Sequence, residues 1–129
     1  MSQINNITLK FNNSLNIFIS YLREINSKDK DLKNLQTIVN GLIKTNYKSC
    51  IEQFILNILE YGDKIIEHDY LYFHNLDLKF DNDKNKYLMK LLKFKKYANN
   101  LNDEQKTTIF DFLELLVYQS REYLKLKYN

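Results

Sequence analysis

Across 129 residues the chain has no proline and only two glycines, Gly41 and Gly62. Those two residue types supply the fixed and positive φ angles on which hairpins and tight turns reverse, so a multistranded sheet would lack its punctuation. Apolar residues recur instead at spacings of three and four, the period of a helix face. The sequence therefore predicts an all-α fold, a single compact bundle of five or six helices over residues 1–129. An irregular segment is expected around residues 63–83, and about the first eight residues are expected to fray.

Phe11, Leu15, Phe18, Ile19 and Leu22 make one stripe, with Asn12 or Asn13 near the start of that helix. Ser27 or Asp29 can cap a second helix bearing Leu32, Leu35, Val39 and Leu42. In the third, Cys50 or Ile51, Phe54, Ile55, Ile58 and Leu59 share a face, and Gly62 is placed to end it as a left-handed residue. Beyond the irregular segment, Tyr87, Leu88, Leu91, Leu92 and Phe94 face one way. Asn102, with Gln105 three residues on, matches the reciprocal capping arrangement at the head of a last helix. Ile109, Phe112, Leu113, Leu116, Val117, Ser120 and Leu124 continue its stripe.

Composition narrows the function classes. The single cysteine, Cys50, has no disulfide or zinc-knuckle partner and reads as a small apolar core residue. No run reaches the roughly 20 apolar residues of a membrane span, and the start lacks the marks of a secretory signal, so an intracellular protein is expected. Lysine outnumbers arginine 17 to 2, a bias that AT-rich codons supply without functional selection. Charge is nonetheless unevenly placed. Residues 1–50 hold seven basic and three acidic groups, residues 51–83 two and eight, and residues 84–129 ten and five. An acidic middle between basic ends favours opposed surface patches that suit partners of either sign.

Two stretches carry candidate chemistry. Residues 68–77, "HDYLYFHNLD", hold both histidines, His68 and His74, with Asp69 and Asp77. Imidazole and carboxylate are ordinary metal ligands, but histidines six apart on a helix diverge by roughly 120°. On an extended chain they would stand about 20 Å apart. The expected reading is an aromatic helix junction in which Asp69 caps a short helix and Phe73 enters the core, with no metal or other cofactor. No glycine loop, nucleophile turn or phosphate cradle appears, so no catalytic residues and no enzyme activity are expected.

The second stretch is a lysine cluster, Lys84, Lys86, Lys90, Lys93, Lys95 and Lys96, without an acid among them. On an α-helix Lys86, Lys90, Lys93, Lys96 and Tyr97 form the candidate nucleic-acid-binding set. Lysines there would lie along phosphates, and Tyr97 could stack on a base.

These helices also carry a resemblance. "FISYL" (Phe18, Ile19, Leu22), "IEQFILNI" (Ile51, Phe54, Ile55, Ile58), "DYLYF" (Asp69, Phe73) and "KTTIFDFLELL" (Lys106, Ile109, Phe112, Leu113, Leu116) span residues 10–118. On these the chain resembles small, functionally uncharacterised all-helical proteins of nucleocytoplasmic large DNA viruses, the mimivirus-like giant viruses. The resemblance implies a setting, host cytoplasm or virion, and no activity. The function expected is a non-enzymatic protein-interaction or structural accessory module, with a protein partner that includes further copies of itself. The alternative is a nucleic-acid-binding accessory protein using the lysine-rich face.

Overall fold

The computed structural model describes residues 2–76, 84–93 and 101–128. Every regular element among them is helical, and they pack as one all-α bundle. The elements are α1 (Gln3–Ile25), α2 (Lys30–Thr45), α3 (Ser49–Asn57), a 3₁₀ turn (Leu59–Tyr61), α4 (Gly62–Ile66) and α5 (Tyr70–Asn75). A 3₁₀ segment (Lys84–Leu92) and the long α6 (Asp103–Tyr128) complete the order.

The helix ends follow local side-chain chemistry. α1 begins ahead of the expected Asn12 or Asn13, because Ser2 Oγ accepts the Asn5 amide at 3.2 Å. The residues expected to fray are thus largely helical. Asn12 is instead buried inside α1, where its amide donates to the Tyr47 carbonyl at 2.8 Å and ties the helix to the end of α2. Asp29 caps α2 by accepting from the Asp31 and Leu32 amides. At α6 the reciprocal cap is made: Asn102 Oδ1 accepts the Gln105 amide at 2.8 Å, and Gln105 Oε1 accepts that of Asn102 at 3.0 Å.

Gly62 departs from expectation. Its φ of −54° and ψ of −43° are right-handed helical, so it opens α4 and does not close α3. A Cβ there would lie 3.1 Å from Arg121 Nη2, the end of a flexible side chain, and in ordinary contact with Val117 Cγ1 at 3.5 Å, so α4 and α6 pack closely without requiring glycine. The chain reverses later, at His68, whose φ is 54°. The expected irregular segment therefore contains two short helices, α4 and α5, while residues 77–83 lie outside the described residues.

α1 runs antiparallel to both of its long neighbours. Ser20 and Arg23 hydrogen-bond Gln36, while Asn5 and Asn12 meet Tyr47 at the other end of α2. Against α6, Ser14 accepts from Gln119 at 3.1 Å and Phe18 stacks on Phe112 at 5.2 Å. The core lies between these helices and α3, where Phe11 meets Phe54 edge-on at 5.3 Å. Leu15, Phe18, Ile19, Leu22, Leu35, Val39, Cys50, Ile51 and Phe54 are wholly buried. Burial of this much apolar area, at roughly 25 cal/mol per Å², is what holds helices of otherwise ordinary propensity in place.

The buried face of α6 is wider than the expected stripe. Phe110 and Tyr123 join Ile109, Leu113, Leu116, Val117 and Ser120, whereas Phe112 and Leu124 are only half-buried. α4 and α5 supply the second wall that draws Phe110 inward, with Phe73 5.9 Å from its ring. Tyr123 turns toward α3 and donates to Glu52 at 3.4 Å.

Candidate functional site

The junction at residues 62–76 is built by the turn after α4. The His68 amide bonds the Ile65 carbonyl at 3.0 Å and the Asp69 amide that of Lys64 at 3.1 Å, closing α4. Histidine is among the few residues that tolerate the left-handed region without a large penalty. Asp69 then caps α5 by accepting the Tyr72 amide at 3.1 Å, and Phe73 is buried. This is the aromatic junction the sequence predicts, with the cap and the core residue in the expected roles.

The reversal at His68 aims its ring at α6. The imidazole stacks on Phe110 at 5.2 Å and 18°. Its Nε2 lies 3.2 Å from Glu114 Oε2 and 3.8 Å from Asp111 Oδ1. Asp111 and Glu114 stand three apart on α6 and so share a face. Glu114 is held a second time, its Oε1 accepting from the Tyr118 hydroxyl at 3.3 Å. The three ligand-type atoms lie within 4.8 Å of one another.

The two histidines do not converge on one site. His74 stacks on Tyr70 at 5.7 Å, and its Nδ1 is buried with no hydrogen-bond partner among the described residues. Lys106 sits over the other side of this junction, 4.4 Å from the Tyr70 ring centroid. In the sequence His68 stands beside Asp69 and His74, whereas Asp111 and Glu114 are more than forty positions on. The i, i+3 carboxylate pair on the last helix was legible. Its convergence with His68 was not, because that depends on how α4 packs against α6.

The lysine set is arranged differently from an α-helical strip. Residues 84–92 are 3₁₀, with non-helical angles at Lys86 (φ −107°, ψ 27°). In 3₁₀ geometry residues three apart eclipse, so Lys93, whose amide bonds the Lys90 carbonyl at 3.2 Å, stays in phase with Lys90, whereas Lys86, four before Lys90, does not. All three are half-buried, flanked by Tyr87, Leu88, Met89, Leu91 and Leu92 in the core. Lys96 and Tyr97 lie outside the described residues, as do Phe94 and Lys95.

Cys50 is wholly buried, with the Tyr87 hydroxyl 3.9 Å from its sulfur. Burial pushes its thiol above the ordinary value, partly offset by the Tyr87 contact, so it is an inert core residue.

Several large apolar residues are exposed, among them Leu56, Leu71 and Tyr128, and two stand beside one seam. Ile17 on α1 is 51% exposed, and Leu115 and Tyr118 on α6 are 43% and 50% exposed. The Ser14–Gln119 bond and the Phe18–Phe112 stack bracket Ile17 and Leu115, placing both on the outer rim of the α1–α6 seam. Half-buried Tyr21 and Phe112, 5.8 Å apart, continue the seam.

No known protein family, curated protein or solved structure matches the chain.

Proposed function

We propose that the chain is a non-enzymatic protein-interaction module that associates with a second copy of itself through the rim of the α1–α6 seam. The observation that carries this reading is the exposure of Ile17 and Leu115 together on the outer rim of the α1–α6 seam. Apolar residues that share a ridge between two antiparallel helices lose contact with water when covered, whereas singly scattered ones gain little. A two-helix ridge also suits a two-fold contact, in which the same patch serves both subunits. The resemblance to small proteins of large DNA viruses supplies a setting for such an accessory module. No helix among the described residues is long and apolar enough to cross a membrane.

Sedimentation velocity over a concentration series tests the reading. The 15.6 kDa chain is expected to show a concentration-dependent mass above that of a monomer. Ile17→Glu with Leu115→Glu is expected to return it to monomer while the far-UV circular dichroism is unchanged. A monomer at every concentration, or association indifferent to the double variant, overturns it.

A further inference from the structure

The cluster at the junction of α4 and α6 has a geometry that self-association does not use. We infer that His68, Asp111 and Glu114 form a binding site for a first-row divalent cation of the zinc class, with solvent completing its coordination.

Three features carry this. The first is spacing. In a tetrahedral site with bonds of about 2.0–2.1 Å, donor atoms stand roughly 3.3 Å apart. The Nε2 to carboxylate distances of 3.2 and 3.8 Å bracket that edge, and all three donor atoms lie within 4.8 Å, so an ion among them would draw the two carboxylates together.

The second is fixation of the donors from different parts of the chain. His68 is held by its left-handed backbone and by the Phe110 ring beneath it, and Nε2 is the nitrogen aimed at the carboxylates. Glu114 is oriented from behind by Tyr118, as outer-shell partners orient ligating carboxylates. The two carboxylates come from one face of a 26-residue helix capped at its start, a stiff platform.

The third is donor chemistry. One imidazole nitrogen with two carboxylate oxygens disfavours Mg²⁺ and Ca²⁺, which select all-oxygen shells, and suits Zn²⁺, Co²⁺, Mn²⁺ or Fe²⁺. Asp111 is 64% exposed, so an ion there keeps access to water on one side. Three protein ligands with an open side describe a site that exchanges its ion more readily than a closed four-ligand structural site.

Without a metal the same groups make a hydrogen-bonded cluster of imidazole and carboxylates, and the experiment separates the two. Tag-free protein is titrated with Zn²⁺, Co²⁺ and Mg²⁺ by calorimetry, with thermal melting alongside. The expected result is saturable binding of one Zn²⁺ or Co²⁺ with a raised melting temperature, visible Co²⁺ absorption of mixed nitrogen and oxygen ligation, and no response to Mg²⁺. Asp111→Asn and Glu114→Gln keep side-chain shape, and His68→Asn keeps a residue suited to the left-handed backbone. Each is expected to weaken Zn²⁺ binding at least tenfold with the helical content unchanged, while His74→Gln leaves binding intact. Melting and calorimetry indifferent to Zn²⁺ assign the groups to that hydrogen-bonded cluster and overturn the proposal. So does binding that survives Asp111→Asn with Glu114→Gln, or that is lost in His74→Gln.

Discussion

His68 shows how one residue's backbone decides what its side chain meets. With a φ of 54° it ends α4 and turns its ring toward α6; the left-handed position is one the sequence predicts for Gly62, at the end of α3. The two readings of Gly62 predict opposite outcomes for Gly62→Ala. At a left-handed position alanine would cost about 1 kcal/mol, whereas within a helix it gains roughly 0.5–1 kcal/mol through reduced unfolded-state freedom. The group nearest the new Cβ is the end of the Arg121 side chain, which is 44% exposed and able to shift. A modest gain in urea-denaturation stability, near 0.5 kcal/mol, is therefore expected. Cys50 gives a second test at this scale. Its thiol stays neutral in the fold above its ordinary 9.0, and burial holds the Tyr87 hydroxyl up likewise. Raised folded values mean that the stability linked to these acids is complete below their unfolded values and is lost as pH rises past them. The urea midpoint should fall between about pH 8 and about pH 10, less steeply in Cys50→Ala. Native Cys50 should also resist a thiol reagent until the chain unfolds.

At the scale of elements, the apolar stripes of the long helices are readable in the sequence, as is the reciprocal cap of α6. Asp29 and the Asn102–Gln105 pair stand where local hydrogen-bonding chemistry puts them. α1 starts earlier than the stripe from Phe11 predicts: Ile4 and Ile7 continue that stripe toward the Ser2 cap and pack against the core. The greatest difference is the segment Lys84–Leu92, whose apolar spacing suits an α-helix but which forms a kinked 3₁₀ segment. Its packing against α2 and α3 buries Tyr87, Leu88, Met89, Leu91 and Leu92, so core contacts on several sides override the helical period. The consequence concerns nucleic acid. A strip of three lysines in phase would give duplex DNA binding a salt slope of about −2.7, and the two that remain in phase about −1.8. Fluorescence anisotropy across a salt series is expected to show no slope steeper than the second value. Replacement of Lys86, Lys90 and Lys93 by Glu should leave self-association unchanged, because the α1–α6 ridge contains none of them.

For the whole molecule, the class of fold was decided by what the sequence lacks and by its period. Without proline and with two glycines, a chain whose apolar residues repeat every three or four positions has only helices by which to satisfy its backbone and bury its stripes. Those signals are local, so the sequence by itself determined the all-α class, most helix cores, the α6 cap, the burial of Cys50 and the cap and anchor roles of Asp69 and Phe73. What only the tertiary structure decided are relations between distant residues. These are the second wall that buries Phe110, the Ile17–Leu115 ridge, and the meeting of His68 with Asp111 and Glu114. Each depends on the rotation and register of one helix against another. Those are fixed by the simultaneous close packing of several faces, and no single stripe encodes them.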